Sequence, residues 1–524
     1  MAVVVRETER KFHVPPGFQL PDLVSVGVVT AVSGPERSVL LAVYYDTADL
    51  RLVRDGLTLR RREGGTDAGW HLKLPVHGSQ SRDEVRLPLS AGEQGRVPGE
   101  LGDLVSAFTR GLPLQAVATL RTEREVCVLH GRAGPLAELA LDSVTVVRAP
   151  GATGGDPKAV EGFRELELEE LGDGSAGVPA PDLDAVVQRL LASGAQARPL
   201  VPKLTRALGT AASGTPDVPV PPARIHRSAP AADLVQAHIA SQVRALRRAD
   251  VGVRRGDADA VHRARVAARR LRSGLRVLRP LLDRTWADDL RGELAWLAGE
   301  LGHARDGEVL SARLEAAGRT LPAEVDASTT RTFLSRHLGT DVVAARAYAQ
   351  ATLHSSRYLE LVDRLVDGAR TPPTTPAAQE SCSTVLPPLV ASAWRRLARE
   401  ADRVDLEGAD EPWHEVRKRA KAVRYAAEAV APAMGKPAKR LARRAERVTE
   451  LLGEHQDAII AAAALTRLVT RPRTSARAAF GLGVLYGIQR DDVRTARQQF
   501  LDTWPAMSRR AHRRWLTKTY RRAA

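Results

Sequence analysis

The chain has 524 residues, too many for a single hydrophobic core, so two or more domains are expected. Aromatics make up only 4% of it, and no stretch approaches the ~18 uncharged apolar residues that a membrane span needs. The net charge of +16 is uneven: residues 1–210 carry 24 Lys/Arg against 27 Asp/Glu, and the remainder 54 against 35. The basic excess of the C-terminal part suits a polyanion such as nucleic acid, anionic lipid or polyphosphate; Arg enrichment from a GC-rich genome is the plainer reading.

Arg6, Glu7, Glu9, Arg10 and Lys11 stand where a signal peptide would need an apolar run, so a cytoplasmic location is expected. Cys127 and Cys382 lie far apart, which leaves neither a disulfide framework nor a thiolate metal site. Residues 1–210 read as β. Alternating runs at 2–12, 40–45, 57–63, 70–74, 82–89, 118–129, 136–147 and 162–170 are separated by Gly, Pro and Asp turns, as in a sandwich or barrel.

Side chains two apart share a strand face, and here the shared faces are charged. They are Glu7, Glu9 and Lys11; Arg60 and Arg62; His71 and Lys73; Arg82, Glu84 and Arg86; Arg121 and Glu123; Glu138 and Asp142; and Glu165, Glu167 and Glu169. The opposite faces carry Val85, Leu87, Leu139, Leu141, Leu166 and Leu168. On one strand alone, a charged face turned to solvent explains this. Across seven strands, cations gather on some and carboxylates on others, as an interior holding a polyanion with metal ions requires. Carboxylate oxygens ligate hard cations such as Mg2+ or Mn2+, and Arg and Lys clamp phosphate oxygens.

Residues 211–228, rich in Pro, Ser and Gly, read as a linker. From about Ala231 the pattern is helical and amphipathic, broken by Pro and Gly near 280, 320, 371–376 and 432–437. This part is duplicated. His262, Arg265, Arg269 and Arg272 recur 152 residues later as His414, Arg417, Lys421 and Arg424. A second piece, Leu301 to Asp306, recurs as Leu452 to Asp457. With Arg276, the first set spans an arc of about 80° on a helix. Like charges stacked this way weaken an isolated helix and call for an anion or carboxylates. Lys418, Lys439 and Arg443 add to the second half. For any one run, a solvated helix face is the simpler explanation; its repetition favours a site. No HxxxH pair accompanies His262 or His414, so neither is assigned a metal.

Glu7-x-Glu9-x-Lys11 resembles the ExExK motif of CYTH domains, the triphosphate tunnel metalloenzymes. The resemblance covers about residues 3–208 and continues through Tyr45-Asp46-Thr47, Leu59 to Gly64, Leu72-Lys73-Leu74-Pro75, Glu84-Val85-Arg86, Glu138 to Asp142, Glu165 to Glu169, and Lys203 ahead of Arg206. It implies an eight-stranded antiparallel β-barrel tunnel with flanking helices. Family members hydrolyse inorganic or thiamine triphosphate, and a few cyclise ATP. Carried over by residue, Glu7, Glu9 and Lys11 serve catalysis. Glu7, Glu9, Asp142, Glu165, Glu167 and Glu169 hold Mg2+ or Mn2+. Arg60, Arg62, Lys73, Glu84, Arg86, Arg121 and Lys203 contact the triphosphate. One departure is Glu123, which stands on the inward phase where a basic residue is expected, with Arg124 on the other phase.

Residues 229–520 are similar to the CHAD domain, an all-α domain of two duplicated helical bundles found fused to CYTH domains. That resemblance implies binding of inorganic polyphosphate through His262, Arg265, Arg269, Arg272, Arg276, His414, Arg417, Lys418, Lys421, Arg424, Lys439 and Arg443. Nucleic acid is disfavoured as a partner because few aromatics are interleaved for stacking. The domains expected are 1–210, a linker at 211–228, and 229–524. The leading expectation is a metal-dependent triphosphatase that also retains polyphosphate. The alternatives are a non-catalytic, granule-associated polyphosphate scaffold and an adenylate cyclase.

Overall fold

The computed structural model describes residues 3–76, 81–148, 160–171, 182–198 and 201–517. They form two units, Met1–Asp217 and Val218–Ala524.

The first unit is an antiparallel sheet with short helices. Its strands are β1 (Val3–Glu7), β2 (Glu9–His13), β3 (Ala31–Asp46), β4 (Thr58–Glu63), β5 (Gly69–Pro75), β6 (Arg82–Leu87), β7 (Gln115–Gly131), β8 (Gly134–Arg148), β9 (Val160–Glu170) and β10 (Gln196–Arg198). The helices are α1 (Arg51–Arg54), α2 (Gly99–Leu104), α3 (Ser106–Thr109), α4 (Asp184–Ala192) and α5 (Lys203–Leu208). The strand order is β1-β6-β5-β4-β3-β7-β8-β9-β2-β10. The expected first strand is split at Thr8. β1 pairs with β6 at one end of the ladder, while β2 pairs with β9 near the other. Consecutive strands therefore hold opposite ends of the sheet, although among the described residues the ladder itself is open.

Alternation gives the sheet one apolar face. Phe12, Leu129, Leu139, Leu141, Leu166 and Leu168 pack with Val186 and Leu190 of α4. The charged positions are thereby turned to the other face. Along that second face Leu120, Val144 and Val146 continue the phase of Arg124 and Asp142 and pack with Leu204 and Ala207 of α5. β3 begins nine residues before the expected run at 40, because Gly34-Pro35 reads as a turn. A register shift between Ser33 and Glu36 absorbs it, in a stretch that pairs with β7 alone, where proline costs no ladder bond on a second side. Gly64 closes the Arg60-Arg61-Arg62-Glu63 run at φ +80°, and a Cβ there would meet the Val39 carbonyl oxygen at 2.2 Å.

The second unit is helical: α6 (Ala231–Arg255), α7 (Ala260–Val277), α8 (Arg284–Gly318), α9 (Ala327–His354), α10 (Ser356–Arg370), α11 (Cys382–Ala401), α12 (Asp410–Met434), α13 (Lys436–Val469), α14 (Ala476–Met507) and α15 (Arg514–Thr517). Successive helices pack in the same order in two sets, α6 to α9 and α11 to α14, as the duplication predicts. Four breaks fall on the expected Pro and Gly clusters, and those at 256–259, 402–409 and 470–475 lie outside them. A further one, between α9 and α10, is marked by Ser355, whose side chain accepts the Tyr358 N–H. One continuous apolar core joins Leu246, Leu271, Leu297, Tyr358, Trp413 and Phe500. The segment 211–228 is anchored in both units. Asp217 pairs with Arg110 at 2.8 Å, whereas Val218 is buried in the helical core and Ile225 N–H donates to the Pro432 carbonyl.

Asp46, fully buried, accepts from the backbone N–H groups of Thr47, Leu52 and Val53 and so fixes α1 beside β3. Burial pushes its carboxyl up to about 6 against those hydrogen bonds. Asp46→Ala leaves three buried donors without an acceptor and should cost about 2–3 kcal/mol. Urea unfolding reads this directly, and a loss under about 0.5 kcal/mol would remove the capping role.

Candidate functional site

The charged faces of β2 to β9 line one cavity of about 580 Å3. Its wall includes Glu9 and Lys11 of β2, Arg60 and Arg62 of β4, Lys73 of β5, Arg82 and Arg86 of β6, Arg124 of β7, Glu138 of β8, Glu167 and Glu169 of β9, and Lys203 of α5. β3 contributes too, through Tyr44; the sheet as described has ten strands rather than the eight of the expected barrel, and among the described residues it is not closed.

On one side Glu9, Lys11, Arg124, Glu167 and Lys203 line the wall, and they belong to a network of carboxylates and cations that continues into the buried Asp142 and Glu165 behind it. The β9 register sets Glu167 opposite Lys11 and Glu165 opposite Asp142. Asp142, Glu165 and Glu167 bring one ligand oxygen each to within 4.8 Å of one another. Lys203 Nζ stands among them, 2.9 Å from Asp142 Oδ2, 2.9 Å from Glu165 Oε1 and 2.7 Å from Glu167 Oε1. Arg124 grips both Asp142 oxygens, at 2.8 and 2.7 Å, and Glu167 Oε2 at 2.9 Å. Arg206 Nη1 donates to Glu165 Oε2 at 2.6 Å, and Lys11 donates to Glu167 with Glu9 3.6 Å away.

The charges decide the protonation states. Burial alone would raise the Asp142 and Glu167 carboxyls. Lys203 and Arg124 outweigh it at Asp142, and Lys11, Lys203 and Arg124 do so at Glu167, so both lie below their usual range. Burial works likewise against the Lys203 ammonium, and Asp142, Glu165 and Glu167 hold it well above its usual value.

The other side of the cavity is cationic around one buried carboxylate. Glu84, fully buried, accepts from Arg86, faces His71 Nδ1 at 3.0 Å, and stands 3.7 Å from Lys73 and 3.9 Å from Arg60. Arg60 reaches the Tyr44 hydroxyl at 3.4 Å, and Arg62 pairs with Asp67. Glu84 therefore orients basic side chains and is surrounded by them, which corrects its expected place as a substrate contact. In one cross-strand row nearer Gly131, Glu9, Glu169 and Glu138 are register partners.

Arg121 is the clearest correction. It is exposed and pairs with Glu123 at 2.6 Å, while Arg124, Val126 and Val128 line the cavity. The inward phase of β7 is even-numbered, with Arg124 the register partner of Asp142 and Leu120 and Thr122 buried on the same face. Arg37, Arg82 and Arg206 were also missed as site residues. The side chain of Glu7 lies outside those described; its backbone pairs with Arg82. The donor set suits a divalent ion, since all its ligand atoms are carboxylate oxygens, the class that Mg2+ and Mn2+ prefer.

In the helical unit the two copies of the basic motif lie on α7 and α12, which pack on each other. Burial, with the charges of Arg417, Arg269 and Arg265 around it, pushes the Lys421 ammonium down to about 7, although Asp457 opposes this. The two basic faces therefore meet at Lys421. Arg272 and Arg276 continue the α7 face and are lowered by burial and by Arg291. Arg265 donates to the Gly302 carbonyl at 3.2 Å, His414 Nδ1 faces Gln456, and His262 is exposed.

The other expected residues are partly committed elsewhere. Arg424 pairs with Glu428 at 2.8 Å and Glu446 at 2.6 Å, and exposed Lys418 pairs with Glu415 on its own helix. Lys439 and Arg443 line a separate hollow with His238 and Tyr425. Of the second repeated piece, His455 is buried, receiving the Arg497 Nε–H at 3.1 Å beside Trp413. The side chains of His303 to Asp306 in the first copy lie outside those described.

Residues 5–179 match the CYTH domain family and residues 237–466 the CHAD domain family. Two uncharacterized proteins of Mycobacterium tuberculosis, Rv2226 among them, are 35% identical over 511 residues, which is 94% of this chain and 94% of theirs. The chain is a CYTH–CHAD protein. Solved structures similar to parts of it include PptA from Streptomyces chartreusis, 29% identical over 53% of this chain and 99% of that one, TM-score 0.47. The CHAD domain of Ricinus communis is 23% identical over 53% and 96%, TM-score 0.43. A Hippeastrum adenylyl cyclase homologue with a dominant triphosphatase activity is 15% identical over 38% and 94%, TM-score 0.24. CYTH domains are metal-dependent triphosphate tunnel enzymes. Among the described residues, no helix of this CYTH–CHAD protein is long and apolar enough to cross a membrane.

Crowding at Lys421 has a pH signature. Its folded-state value, about 7, lies below the 10.5 of an unperturbed lysine. Between those values the unfolded chain binds the extra proton, so the destabilisation is complete below pH 7 and fades as the pH rises towards 10.5. Lys421→Met should therefore stabilise the CHAD unit by on the order of 1–2 kcal/mol at pH 7, with most of that gain gone by about pH 9.5. Denaturant unfolding at the two pH values checks it; an equal effect at both would mean that the ammonium is not crowded.

Proposed function

We propose that the CYTH unit hydrolyses a phosphoanhydride bond of inorganic triphosphate or a related triphosphate, with Mg2+ or Mn2+, and that the CHAD unit binds inorganic polyphosphate. The observation that carries the first half is the division of one cavity into a carboxylate side and a cationic side. Arg60, Arg62, Lys73, Arg82 and Arg86 supply charge to hold phosphate oxygens, and Glu84 fixes the directions of several of them. Glu9, Asp142, Glu165, Glu167 and Glu169 would hold the metal. Such an ion, when bound, neutralises developing charge and lowers the pKa of a ligated water. Glu84, Arg62, Asp142 and Glu165 are buried, and contacts in such a setting are stronger than in water. The meeting of two basic faces at Lys421 supports the second half, since a phosphate chain with one charge per unit matches stacked Arg and Lys without base contacts.

The test is a panel of tripolyphosphate, thiamine triphosphate, ATP and long-chain polyphosphate with Mg2+ and Mn2+, following phosphate and cyclic AMP. Phosphate release that stops in excess chelator is expected, and Glu167→Gln should lower it by two orders of magnitude or more with the fold intact. Full turnover in chelator would sink the metal-dependent reading, and no release from any substrate would leave a binding protein.

For the CHAD unit, Arg269→Glu with Lys421→Glu in the full chain should weaken polyphosphate binding far more than Arg473→Glu with Arg477→Glu. That comparison controls for loss of net charge. Equal losses from the two double variants would reduce the site to a diffuse positive surface, and tighter binding of DNA than of polyphosphate would change the ligand class.

A further inference from the structure

Three of the five carboxylates proposed to hold metal are already engaged by cations. Both oxygens of Asp142, Glu165 and Glu167 are in contact with a cationic nitrogen. Asp142 meets Arg124 and Lys203, Glu165 meets Lys203 and Arg206, and Glu167 meets Lys11, Lys203 and Arg124, with each of these contacts at 2.9 Å or less. With Glu9 beside Lys11, four cations balance four carboxylates in a buried setting.

Lys203 is placed as an ion would be, equidistant within 0.2 Å from one oxygen of each of three carboxylates. A divalent ion entering alone would have to displace that ammonium and add charge to a set already balanced. Uncompensated charge in such a place is costly. A triphosphate removes the obstacle, since its oxygens can accept Lys203, Lys11 and Arg124 while the ion takes the carboxylates they leave.

We propose that Lys203 is an internal stand-in for the metal, so that the CYTH cavity excludes a free divalent ion and admits it only together with the triphosphate anion. This rests on the triphosphate reading of the same cavity, but not on turnover. Lys203 would then have two positions, on the carboxylates without ligand and on phosphate oxygens with it, and Lys11 and Arg124 would share the exchange.

Equilibrium dialysis of the full chain tests this with free Mn2+, with metal-free tripolyphosphate and with the preformed 1:1 complex. Wild type should bind the complex at least tenfold more tightly than free Mn2+. Lys203→Met, which keeps the length and removes the charge, should raise the affinity for free Mn2+ at least tenfold and weaken that for the complex. Lys203→Arg should keep free Mn2+ out. If circular dichroism shows that Lys203→Met does not fold, Lys203→Gln gives the same reading, because it too removes the charge and can still hydrogen-bond the carboxylates. Equal affinity of wild type for free Mn2+ and for the complex would overturn the proposal, as would a folded neutral variant that binds free Mn2+ no better than wild type. Uptake of the complex without hydrolysis would count against the enzymatic function and leave this inference standing.

Discussion

The CYTH unit depends on a buried set of opposite charges kept in balance. Asp142 is fully buried and Glu165 nearly so, in surroundings where a lone carboxylate would take up a proton or destabilise the fold. Lys203, Arg124, Lys11 and Arg206 make that burial tolerable; the sheet's alternation places Lys11 and Arg124, and α5 brings in Lys203 and Arg206. The same strands that send Leu139, Leu141, Leu166 and Leu168 into the apolar core send Asp142, Glu165 and Glu167 to the other face. Folding and the proposed function use the same groups here. An isolated buried ion pair is weak evidence for stability, but a network that a metal and an anion can take over retains its carboxylates in ionised form.

The CHAD unit handles charge differently. Its two basic faces are brought together by helix packing, and the crowding at Lys421 is not relieved by an equal number of carboxylates. Some of the excess is absorbed locally, as Arg424 is by Glu428 and Glu446. Lys421, buried beside Arg417, Arg269 and Arg265, is where the proposed polyphosphate would offset the charge.

Much of this was legible in the sequence because the signals were periodic. Glu165, Glu167 and Glu169 declare a strand face, and His262, Arg265, Arg269 and Arg272 with their copies declare a helix face. Both periods survive folding. What stayed hidden depended on register and on partners. Arg121 and Arg124 differ by one strand phase, and only pairing with Asp142 across β8 decides between them. Gly34-Pro35 reads as a turn and became a bulge inside β3. Lys418 matches the motif but bonds to Glu415, and no spacing rule shows which carboxylate a lysine will meet. The engagement of every oxygen in the Asp142, Glu165 and Glu167 set is a three-dimensional fact with no sequence signature.

The measurement that bears most directly on the account is a crystal structure of the full chain grown with tripolyphosphate and Mn2+, with the ion located by its anomalous scattering. The account predicts Mn2+ on the carboxylate side of the cavity, phosphate oxygens between it and Arg60, Arg62 and Lys73, and Lys203 moved from the carboxylates onto phosphate. Mn2+ or tripolyphosphate bound only outside this cavity, with Lys203 still among Asp142, Glu165 and Glu167, would contradict it.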